Sequence, residues 1–153
     1  MNVKEKDMAG KTSADALSEE ERDAVKQRAK ELRAQAKAGK SREAGTKQVL
    51  EAIAKLEGTD KVLAEGFYKV VSETAPDLVP KTFYGFPAFA NADGKVVVFI
   101  QPASKFKTRY ATVNFDDPAT LDDGDMWPIG FAVIAWTPEV EKRISDLVKA
   151  AVA

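Results

Sequence analysis

Lys95-Val-Val-Val-Phe-Ile-Gln101 is the stretch whose reading decides the fold. Its β-branched and aromatic residues, its shortness and the turn signal Asn91-Ala-Asp-Gly94 in front of it make it a central strand rather than a helix. Upstream, Lys81-Thr-Phe-Tyr-Gly-Phe-Pro-Ala-Phe-Ala90 carries aromatic residues at 83, 84, 86 and 89, with Gly85 and Pro87 interrupting any regular ladder unless they sit at an edge or bulge. It reads as one strand with an irregular middle, joined to 95–101 by a hairpin across Asp93-Gly94. Downstream, Arg109–Phe115 alternates Ala111, Val113 and Phe115 with Tyr110, Thr112 and Asn114, giving one core face and one wetter face. Ile129–Trp136 is apolar on both faces and is expected to lie under a helix. The links are too short for the crossovers that parallel strands require, so the fold class is α+β, an antiparallel β-sheet of about four to five strands.

Helices flank this sheet at both ends of the chain. A capping box at Ser18 and Glu21, with acidic residues following, opens a helix whose stop is expected at Gly39. Its stripe of Val25, Ala29, Leu32 and Ala36 is Ala-rich and buries little. Gly39–Gly45 reads as a linker. A helix at 47–57 follows, then another capped by Thr59 or Asp60 and closed by Pro76. The last helix has Thr137 as its cap and Pro138 in its first turn. The expected organisation is a disordered tail at 1–17, a helical extension at 18–40 and an α+β domain at 41–153.

Composition narrows the chemistry. The chain has 153 residues, 44% hydrophobic and 31% charged, which suits one soluble domain with a modest core. A net charge of −1 gives no global field to recruit nucleic acid or an anionic membrane. With no Cys and no His, disulfides, thiolate chemistry and the commonest general base and metal ligand are all missing. No apolar run reaches the roughly 18 residues of a membrane span, and the N-terminal segment lacks an apolar signal core. The expected location is cytoplasmic, and the expected state a monomer or weak homodimer, with a small molecule or protein as partner.

Three blocks carry a resemblance. Thr82-Phe-Tyr-Gly-Phe-Pro-Ala-Phe89, Lys105-Phe-Lys-Thr-Arg-Tyr-Ala111 and Leu121-Asp-Asp-Gly-Asp-Met-Trp-Pro128, in that order, resemble the YdhG-like family of small bacterial domains of unknown function. The likeness covers roughly 46–151 and implies a helix-flanked antiparallel sheet similar to secretion-chaperone-like folds, with no catalytic motif. Some members of that family are described as frataxin-like iron chaperones that rely on acidic residues.

Two functional readings follow. In the first, a non-enzymatic binding domain holds a small anionic ligand or peptide over the sheet with Tyr84, Lys105, Lys107, Arg109, Tyr110 and Trp127. The tyrosines and tryptophan offer apolar area with a polar tip. In an extended segment, Lys105, Lys107 and Arg109 share one face, with Phe106 on the other. In the second, iron is bound through the Asp-rich loop, Asp122, Asp123 and Asp125, with Asp116 and Asp117 nearby; oxygen ligands suit a hard cation. That spacing does not match an EF-hand, and Asp is also a common turn residue. Carboxylates, Lys and Tyr can perform acid–base chemistry, but no pair here has a spacing that points to a reaction.

Overall fold

The structure, a computed structural model, describes residues 18–153, and for residues 27, 31, 32 and 34–41 the backbone alone. The expected tail at 1–17 lies outside the described residues. The chain divides into two compact units, Met1–Gly39 and Lys40–Ala153.

Helix α1 spans Glu19–Ala54. It opens with the capping box expected from sequence: Ser18 Oγ accepts from the Glu21 amide at 3.0 Å, and the Glu21 carboxylate accepts from the Ser18 amide at 3.3 Å. The stop at Gly39 and the linker to Gly45 do not exist, since both glycines are helical. Two glycines cost a helix about 1 kcal/mol each relative to Ala, which the surrounding Ala, Glu, Lys and Gln can absorb. Gly45 also has a packing role. A Cβ there would lie 1.8 Å from the carbonyl oxygen of Pro80, so only a bare Cα lets the helix approach that backbone.

Helix α2 spans Gly58–Thr74. Its cap is Glu57, not Thr59 or Asp60, and it ends ahead of Pro76 as expected. Leu63, Phe67, Val70 and Val71 form its buried stripe. The strands β1 (Val79–Phe83), β2 (Phe86–Ala90), β3 (Val96–Gln101), β4 (Ala111–Phe115) and β5 (Gly130–Val133) form one antiparallel sheet in chain order. A four-residue helix α3 (Ala103–Phe106) lies between β3 and β4, and α4 spans Pro138–Val152. Thr137 caps α4 by accepting from the Val140 amide at 3.1 Å. Among the described residues, no helix is long and apolar enough to cross a membrane.

The segment 81–90 is not one irregular strand but a hairpin. Phe83 pairs with Phe86 across a two-residue turn in which Tyr84 and Gly85 both have positive φ, 51° and 80°. That is the backbone a two-residue hairpin favours, because its twist matches the strands.

Helices α2 and α4 cover one face of the sheet. Phe67, Leu63, Ile144 and Val148 pack there against Phe89, Val98, Ile100, Val113 and Phe115. Phe67 meets Phe89 edge-to-face at 5.7 Å. Burying side chains of this size contributes about 1.5–3 kcal/mol each, which makes this layer the main source of stability. Gly66 of α2 makes room for the Trp136 indole, whose ring atoms would lie 2.3 Å from an added Cβ. The expectation that 129–136, apolar on both faces, lies under a helix holds for one face of β5, where Val133 joins the core layer beneath α2 and α4 and Phe131 packs against it. Val133 is buried, while Gly130 and Ala132 are exposed and Ile134 is 69% exposed.

Candidate functional site

The other face of the sheet carries no helix of the α2–α4 layer, and its side chains follow from register. Phe83 pairs with Phe86, and Ala88 pairs with Phe99, so Phe83, Phe86 and Phe99 share the face opposite Phe89 and Val98. They form an aromatic cluster, with Phe83 and Phe99 centroids 5.0 Å apart and Phe86 stacked on Phe99 at 6.4 Å. Phe106 of α3 closes one side, edge-on to Phe86 at 5.9 Å. Tyr84, held out by its turn, stands edge-on to Phe83 at 4.6 Å and is 82% exposed.

These groups, with Gln101 and Lys105, line a hollow of about 540 Å³. Lys105 is its charged member, and its ammonium sits 5.3 Å from the centre of the Phe86 ring, within cation–π range. Ser104 fixes α3 from below by donating a hydrogen bond to the Asp60 carboxylate at the start of α2. Among the described residues, the ion pair is Lys142–Asp146 on α4, so Lys105 faces the hollow without a carboxylate partner. The hydrogen bond from Lys142, ahead of any charge effect, holds the exposed Asp146 carboxyl below its usual range. On its other side Lys105 borders a crevice of about 470 Å³ shared with Glu51, Lys55 and Thr82. A cation with apolar walls beneath it can hold an anionic group whose body lies on the rings.

Of the six residues expected to form one site, the structure brings Tyr84 and Lys105 together. Lys107, Arg109, Tyr110 and Trp127 do not line the hollow. The expected alternation of Lys105, Lys107 and Arg109 on one strand face is corrected. Residues 103–106 are helical, Lys107 ends that turn in the left-handed region, and Phe106 lines the same hollow as Lys105. The Arg109 guanidinium lies 5.2 Å over the Tyr110 ring. Trp127 belongs to the 116–129 loop that leaves the far end of β4, whereas Lys105–Tyr110 precede its near end. The same topology separates the acidic loop from the basic one. Asp116, Asp117, Asp122, Asp123 and Asp125 are exposed, and among the described residues no three acidic side chains converge to hold a metal ion. Phe83, Phe86, Phe99, Gln101 and Phe106 line the hollow outside the expected set. For the four strand residues the signal lay in the parity of the sheet, which requires the turn at 84–85 to be placed first, and for Phe106 it lay in the helical turn at 103–106.

No family model matches the chain, and neither a curated protein nor a solved structure gives a significant match.

Proposed function

We propose that this protein is a non-enzymatic binding domain that holds a small anionic ligand with an apolar body in the aromatic hollow. Lys105 takes the anionic group, Phe83, Phe86, Phe99 and Phe106 take the body, and Tyr84 and Gln101 supply polar contacts at the rim. The observation that carries this reading is the Lys105 ammonium 5.3 Å from the Phe86 ring centre, on a hollow otherwise walled by aromatic side chains and one amide. Its volume of about 540 Å³ falls within the range of small-ligand sites. The order of the three sequence blocks supports placing the chain with YdhG-like domains, and a cytoplasmic location belongs to the same proposal. The dispersed aspartates give the iron alternative no support.

The test uses two fluorescent probes of the same shape and different charge, 1-anilinonaphthalene-8-sulfonate and the uncharged N-phenyl-1-naphthylamine. Lys105→Gln should weaken the sulfonate by about 1.5–3 kcal/mol, the range for hydrogen bonds to charged groups, and leave the neutral probe nearly unchanged. Equal loss for both probes, or no binding of either, would sink the reading.

A further inference from the structure

The two edges of the sheet are treated differently. At β1, α1 lies against the start of the strand and the two residues that lead into it. Arg42 donates to the carbonyls of Leu78 and Asp77 at 3.1 and 3.2 Å, and Gly45 lies against that of Pro80. Lys81 adds a charge to the same strand. Covering helices, Pro and Lys are the usual protections of a sheet edge. At β5, among the described residues, neither strand nor helix pairs with the outer side. The sequence from Met126 to Pro138 holds no charged residue. Large apolar side chains are exposed along it, Met126 at 87%, Ile129 at 55% and Ile134 at 69%.

The direction of each backbone group on β5 follows from one hydrogen bond. The Phe115 amide donates to the Ile129 carbonyl at 2.7 Å, in register with the Val113–Phe131 and Ala111–Val133 pairs. In an antiparallel ladder, alternate residues exchange both bonds with the neighbour. Ile129, Phe131 and Val133 therefore turn toward β4, and Gly130, Ala132 and Ile134 present free amides and carbonyls outward.

We infer that β5 pairs antiparallel with β5 of a second copy about a two-fold axis at Ala132, continuing the sheet across the dimer. A second copy is the occupant that this strand fits. The segment has no charge to select an oppositely charged partner and none to repel its own image. The two-fold sets Ile134, at the bend that ends the strand, opposite Gly130 of the second copy, so that a large side chain meets a position with none. Ala132 meets itself, small against small. An axis normal to the sheet keeps like faces together, so the helix layers continue on one side and the two aromatic hollows open on the other.

Light scattering after size exclusion should give a dimer mass for the full chain, and amide hydrogen exchange should show protection at Gly130 and Ala132. Ala132→Lys sets two ammonium groups beside the axis on an exposed position, where the monomer fold does not depend on it. It should weaken the dimer at least tenfold and release exchange at Gly130 and residue 132, while Phe131 and Val133 stay protected by β4. Ile134→Lys should act in the same direction. A monomer with freely exchanging Gly130 and Ala132 amides overturns the inference, and so does a dimer that survives both substitutions.

Discussion

Among the described residues other than glycine, Tyr84 and Lys107 alone have positive φ, 51° and 54°. A left-handed backbone costs a residue with a side chain about 1–2 kcal/mol. The two strained positions have different reasons. Lys107 ends α3, a position where glycine carries no penalty, and its side chain lies outside the hollow. Lys107→Gly should therefore raise stability by about 1 kcal/mol in denaturant titration and leave probe binding as it was. Tyr84 is strained and solvent-exposed while lining the hollow, the combination that marks a side chain held out for contact. Tyr84→Asn relieves the backbone but loses the edge contact with Phe83, worth about 0.5–1.5 kcal/mol, so its melting temperature should barely move. Its sulfonate probe should bind more weakly. A large loss of stability instead would assign Tyr84 to the fold and not to the site.

At the scale of elements, Gly45 decides where α1 can sit. Alanine is the better helix former by about 1 kcal/mol, yet its methyl would overlap the Pro80 carbonyl oxygen. The steric effect wins because backbone stands on both sides of the contact. Gly45→Ala should destabilise the protein by about 1–3 kcal/mol in thermal or urea unfolding, with β1 the first strand to lose amide protection. What could be read from sequence follows the same logic. Val96–Ile100, the alternation of Ala111, Val113 and Phe115, and the caps at Ser18 and Thr137 are local patterns, and each is where it was expected. Gly45 looked like a linker because its purpose lies on a strand distant in the chain. Tyr84-Gly85 escaped notice because such turns are usually announced by Asn-Gly or Asp-Gly. Without that turn the aromatic parity has no reference point, and the helical turn at 103–106, not an extended strand, sets Lys105 beside Phe106.

For the whole molecule, strand order equals chain order, so every ladder forms between neighbours in sequence. The consequence is kinetic. The gaps between strands grow along the chain, from the two-residue turn at 84–85, through 91–95 and 102–110, to the loop at 116–129. Closing a loop costs entropy that rises with the logarithm of its length, and a pairing cannot repay that cost until it forms. Refolding should thus begin in the β1–β2–β3 hairpins and reach β5 last, with α4 docking only once β5 has supplied Val133 to the core. Pulsed amide labelling should find Val98 and Ile100 protected before Phe131 and Val133; simultaneous protection would contradict this order. The uncharged 126–138 segment is then the last part of the sheet to find a place, and refolding at high protein concentration should lose material to aggregation through that segment before any other.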